Sequence, residues 1–136
     1  MEIITSHNAL DFDGLASMVG ASKLYPGAVM VIPGTMPGKI KQFMALYKDV
    51  LDLRIPREID LARITRVILV DTASPGRMAQ LEPLHQNPAI DFHVYDHHPQ
   101  QAGDIAGSIT ELHPIGATTT IMVEKIAAAG IHITPF

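Results

Sequence analysis

The chain has 136 residues, 47% of them apolar, a formal net charge of −4 and no cysteine. That length and apolar share suffice for one domain with a real core, while the lack of Cys excludes a disulfide framework and a thiolate zinc site. No Lys/Arg run supplies the basic footprint of a duplex-binding module, no apolar stretch approaches the roughly 20 residues of a membrane span, and no basic signal-peptide start precedes the first strand, so the sequence points to an unprocessed cytoplasmic protein.

Residues 2–6 form a short apolar run with β-branched members, which reads as a strand. A polar loop over 7–13 follows, then Leu15, Met18, Val19 and Leu24 recur at helical spacing. Residues 28–32 are a second buried-type strand, broken by Pro33-Gly34. An amphipathic helix marked by Ile40, Phe43, Met44, Tyr47 and Leu51 starts near Pro37. A third strand, Arg-Val-Ile-Leu-Val over 66–70, runs into Asp71-Thr72-Ala73-Ser74-Pro75-Gly76, after which Met78, Leu81 and Leu84 predict a short helix. Residues 92–95 are a fourth strand, closed by Asp96-His97-His98-Pro99; 108–112 is a peripheral strand, and 116–129 a helix capped by Gly130. Strands that are apolar throughout and alternate with helices imply a doubly wound α/β fold, a mainly parallel β-sheet flanked by helices. Near the end, Thr134-Pro135 has the form of a helix start, a capping Thr before Pro at the first helical position, so the chain is expected to be a fragment of a longer polypeptide.

Three segments place acids and imidazoles directly after a predicted strand: His7, Asp11 and Asp13; Asp71; and Asp96, His97 and His98. The carboxyl ends of parallel strands form the ligand crevice of such a sheet, so these groups should converge although they are far apart in sequence. Each alone has a plainer reading. Asp13 suits a helix cap better than a ligand, Asp71 suits a turn before Ser74-Pro75-Gly76, and His97-His98 suit a solvated loop. Together they are better explained by a metal site. Phosphoester hydrolysis in water calls for such a set: two divalent ions about 3.5–4 Å apart supply a nucleophilic hydroxide and positive charge against the phosphoryl oxygens, and need a bridging carboxylate. Mixed imidazole and carboxylate donors without thiolate favour Mn2+, with Mg2+, Co2+ or Zn2+ as alternatives.

His7-x-x-x-Asp11-x-Asp13-Gly14-Leu15-Ala16-Ser17, Val70-Asp71-Thr72 and Tyr95-Asp96-His97-His98-Pro99 resemble, in order and spacing, the first three motifs of the DHH phosphoesterase superfamily. That superfamily includes RecJ-type exonucleases, oligoribonucleases, cyclic-dinucleotide phosphodiesterases and manganese pyrophosphatases. The resemblance implies that His7, Asp11 and Asp71 hold one ion, that Asp13, Asp71 and His97 hold the other, and that Asp71 bridges. It further implies that His98 faces the substrate phosphate, while Asp96 orients an imidazole rather than binding metal. Residues 11–17, Lys23-Leu24-Tyr25-Pro26 and Pro114-Ile115-Gly116-Ala117-Thr118-Thr119-Thr120 are similar to the DHH domain that precedes CBS domains and a poly(A)-polymerase or tRNA CCA-adding nucleotidyltransferase. The implied activity is metal-dependent hydrolysis of an RNA 3′ end, an oligonucleotide or a small phosphoester. The alternative is a non-catalytic metal- or nucleotide-binding module of the larger polypeptide, and a third reading keeps the fold for assembly alone. The family's fourth motif, an Asp about forty residues beyond the DHH triplet, would fall past residue 136, as would the C-terminal substrate-binding subdomain. Residues 1–136 are therefore expected to have a weakened second metal site and little catalysis. An unpaired sheet edge left by the cut would allow a homodimer.

Other residues rank lower. Gly116 and Thr118 open a helix and suit phosphate binding and simple capping equally. Arg77 reads first as a surface arginine, with substrate contact as the alternative. His85, His93 and His113 lack motif partners, and His93, inside a strand, suits packing. Met18, Met30, Met44, Met78 and Met122 read as core.

Overall fold

The computed structural model describes residues 1–47, 50–112 and 118–130, with side chains in the last segment from residue 122 onward. Six strands, β1 (Glu2–Thr5), β2 (Val29–Val31), β3 (Leu53–Arg54), β4 (Arg66–Val70), β5 (Asp91–Asp96) and β6 (Ile109–Leu112), form one sheet in the order β3-β2-β1-β4-β5-β6. Every pairing is parallel, with Ile3 opposite Val29 and Val67, and Leu69 opposite Val94. All carboxyl ends therefore lie at one edge. The winding reverses between β1 and β4, where doubly wound sheets open a crevice.

Side-chain alternation gives the sheet two apolar faces. Ile4, Met30, Ile68, Val70 and Tyr95 pack beneath the helices α1 (Phe12–Leu24), α2 (Gly38–Tyr47) and α3 (Thr118–Ala128), which contribute Leu15, Met18, Ile40 and Met122. The opposite face presents Ile3, Val31, Val67, Leu69, Phe92 and Val94 to Met78, Leu81 and Leu84. Both faces are covered, as continuous apolar strands require.

The expected α/β architecture is present, with differences in detail. Leu53–Arg54 is an additional edge strand, so 66–70 is the fourth strand rather than the third; two residues carry no periodicity to read. The short helix expected after Asp71 is instead a run of 3-10 turns, Pro75–Gln86, broken where Ala79 adopts φ 47°. Pro83 lies inside it and removes a donor, which opposes a continuous α-helix. Helix α1 starts at Phe12 because Asp11, not Asp13, caps it: the Gly14 N–H donates to Asp11 Oδ1 at 2.8 Å. Gly130, at φ 70°, follows α3 as expected. Gly116, His113, Thr134 and Pro135 lie outside the described residues, as does the Thr118 side chain.

Candidate metal centre

The loops after β1, β4 and β5 bring the three predicted groups together at the carboxyl edge. Strand β4 ends in Asp71, whose N–H stays in the ladder by donating to Tyr95 O at 2.9 Å. Its φ of 64° then turns the chain sharply. Left-handed backbone is rare for residues other than Gly, Asn and Asp, and such conformations cluster at functional sites. The Asp71 carboxylate is buried, with 2% of the residue exposed. Its Oδ2 lies 3.1 Å from His7 Nε2 and its Oδ1 3.1 Å from His97 Nε2. Two imidazoles on different loops thus face opposite oxygens of one carboxylate.

Around this axis, Asp11 Oδ1 approaches His7 Nε2 to 3.6 Å and Asp13 Oδ2 approaches His97 Nε2 to 3.7 Å. Metal-compatible groupings form on both sides of Asp71. One is His7, Asp11 and Asp71; the other is Asp71, Asp96, His97 and His98. The second differs from the expected Asp13, Asp71 and His97 by putting Asp96 and His98 within reach. Asp13 remains next to His97 because the cap at Asp11 places it in the first turn of α1. Asp96 accepts from the His97 backbone N–H at 2.8 Å and its Oδ1 lies 2.6 Å from His98 Nδ1, so the ring it holds is that of His98.

The electrostatics suit a cation. His7 is raised above its ordinary pKa, chiefly by its hydrogen bond to Asp71, although burial opposes this. Burial raises Asp71 above the usual carboxylate range, with the Asp13 carboxyl adding to the effect and His7 opposing it. His7 Nδ1 lies 2.8 Å from the Asn8 carbonyl oxygen. A carbonyl only accepts, so Nδ1 carries a proton and Nε2 is the atom turned to the carboxylates, the arrangement usual for a metal-bound imidazole. Nitrogen and oxygen donors without sulfur fit a divalent ion of the Mn2+, Mg2+ or Zn2+ type.

Beside the cluster lies a cavity of about 170 Å³ lined by Thr72, Ser74, Arg77, Asp96 and His98 among others. Arg77 was ranked as a surface residue in the sequence, yet its Nη2 comes within 3.2 Å of His7 Nδ1. Its place depends on the 3-10 turns, whose path no periodicity reveals. The Asn8 carbonyl was also missed, since a backbone group leaves no mark in the sequence. His93 is not in the cluster: it is buried in β5 between Tyr25 Oη, 2.7 Å from Nδ1, and Asp91 Oδ2, 3.1 Å from Nε2. His85 packs edge-on against Phe92.

Residues 2–134 match the sequence profile of the DHH family, N-terminal domain. Two curated relatives are both described as an A-adding tRNA nucleotidyltransferase. That of Geobacter sulfurreducens is 38% identical over 98% of this chain, and that of Aquifex aeolicus 32% identical over 98%. The chain spans only 15% of the length of each. Among solved structures, an exopolyphosphatase-related protein from Bacteroides fragilis superposes with a TM-score of 0.73 at 18% identity, covering 95% of this chain and 39% of that one. At that identity the likeness concerns the fold. Among the described residues, no helix is long and apolar enough to cross a membrane.

Proposed function

The chain belongs to the DHH family, and on that premise we propose that it is a metal-dependent phosphoesterase domain acting on an RNA 3′ end, an oligonucleotide or a small phosphoester. Its place would be within a larger polypeptide that also carries CBS domains and a tRNA nucleotidyltransferase. The observation that carries this reading is Asp71, one buried carboxylate whose two oxygens each meet an imidazole at 3.1 Å. His7, Asp11 and Asp71 would hold one Mn2+, and Asp13, Asp71 and His97 the other, with Asp71 bridging. Such ions, when bound, supply hydroxide at neutral pH and positive charge opposite the phosphoryl oxygens.

The chain's own groups then have separable tasks. The Asn8 carbonyl fixes the tautomer and orientation of His7 through Nδ1. Asp96 does the same for His98, leaving His98 Nε2 to meet a phosphate oxygen or hold a proton beside it. The second reading is a regulatory module that keeps the metal pocket but performs no hydrolysis. It is favoured by the curated relatives, which are described by a nucleotidyl-transfer activity.

Calorimetric titration of Mn2+ into the chain and into Asp71→Asn tests the metal centre: binding should be present in the first and lost in the second. A phosphodiesterase assay on the longer polypeptide, with and without Asp71→Asn, separates the two readings. Hydrolysis abolished by the substitution supports the enzyme, whereas metal binding without hydrolysis supports the regulatory module. No Mn2+ binding in either protein would remove both.

A further inference from the structure

The cavity beside the acidic cluster combines three hydrogen-bond donors with carboxylates that are already engaged. Asp96 accepts from His97 N–H and pairs with His98, and Asp104 Oδ2 accepts from the Gln101 N–H at 2.8 Å. The donors are in a different condition. Ser74 makes no capping hydrogen bond with its side chain although it precedes the 3-10 turns. The Thr72 hydroxyl oxygen accepts from the Ser74 N–H at 3.2 Å, so its own proton still points elsewhere. Arg77 Nη2 faces His7 Nδ1, and that nitrogen donates to Asn8 O, so two donors meet and no hydrogen bond joins them.

The backbone holds Arg77 in this position from both sides. Its N–H donates to Ser74 O at 3.1 Å, and its carbonyl accepts from Asn8 N–H at 2.6 Å. A guanidinium fixed next to a basin of carboxylates, without an acceptor for its fork, fits a doubly oxygenated anion. The volume of about 170 Å³ is well below the roughly 300 Å³ at which pockets begin to hold a whole drug-sized ligand. It suits a phosphoryl group whose sugar and base remain outside.

We infer that this cavity is a phosphate subsite, in which the Arg77 guanidinium and the Thr72 and Ser74 hydroxyls grip the phosphate of a nucleotide whatever its base. The inference rests on the metal-centre reading only for where that phosphate is delivered. Arg77 is then a substrate-binding residue, and grip without base contact suits a site that acts on ends of varied sequence.

The test titrates AMP, UMP and adenosine into the chain, Arg77→Gln and Arg77→Lys, each with and without Mn2+, and titrates Mn2+ into all three proteins. AMP and UMP should bind alike and adenosine not at all. Arg77→Gln should weaken both nucleotides about tenfold or more, the loss of one charge-assisted fork, while Mn2+ affinity stays within about twofold. Arg77→Lys should recover part of the loss, since it keeps the charge without the fork. Equal AMP affinity in Arg77→Gln and the unaltered chain, no phosphate-dependent binding at all, or a parallel loss of Mn2+ affinity in Arg77→Gln would each overturn the inference. Mn2+ binding that fails, or that ignores Asp71→Asn, sinks the metal reading alone, because the metal-free titrations still report the Arg77 dependence.

Discussion

Asp71 combines a left-handed backbone, φ 64°, with a buried carboxylate shared between two imidazoles. Asn tolerates that backbone and Ala does not, so Asp71→Ala should be less stable than Asp71→Asn by about 1–2 kcal/mol in urea unfolding. Equal stability would mean that the turn relaxes. In the metal-free protein both His7 and Asp71 hold their protons to higher pH than they would unfolded. Their contribution to stability is thus complete below the ordinary values, 3.8 for Asp71 and 6.5 for His7, and is lost as pH rises through the raised ones. A metal ion competes with those protons, so Mn2+ affinity should climb between about pH 6 and 8 with measurable proton release. A flat profile in buffers of different ionisation enthalpy would argue against His7 as a ligand. The seven acids and imidazoles of this site were legible because each follows a strand. The partner of Asp96 and the capping task of Asp11 were not, since both depend on where loops fold back.

Helix α1 begins on Asp11, which caps Gly14 N–H and approaches His7 with the same oxygen. Asn caps about as well as Asp, so Asp11→Asn should keep the helix while weakening Mn2+ binding, whereas Asp11→Ala should also cost about 0.5–2 kcal/mol of stability. Equal metal affinity in Asp11→Asn would reduce Asp11 to a cap. At the other edge, strand β6 is fixed by Gly107, where a Cβ would lie 2.0 Å from the Phe92 carbonyl oxygen. Gly107→Ala must push β6 away from β5, at about 1–3 kcal/mol by analogy with overpacked cores, and thermal melts of the two proteins would show it. The central strands were legible from continuous apolar runs such as 66–70, which only a sheet covered on both faces accommodates. Strand β3 was too short to show, and the 3-10 turns hid behind a spacing of Met78, Leu81 and Leu84 that fits two kinds of helix.

At the level of the whole molecule, the parallel sheet sends every strand end, and hence every loop of the candidate site, to one edge. The opposite edge is closed by Arg66, which bonds Glu2 Oε2 at 2.6 Å and Asp91 Oδ2 at 3.0 Å and so ties β1, β4 and β5 together. That ring satisfies its charges internally, while Asp11, Asp13, Asp71 and Asp96 gather negative charge at the far end. The molecule is therefore electrically polarised along its strands and draws cations toward the edge that would hold them. Stopped-flow capture of Mn2+ should slow as added salt shortens the Debye length from about 30 Å at 0.01 M to 3 Å at 1 M, with the release rate unchanged. A capture rate indifferent to salt would mean that the ion meets the site by unguided diffusion.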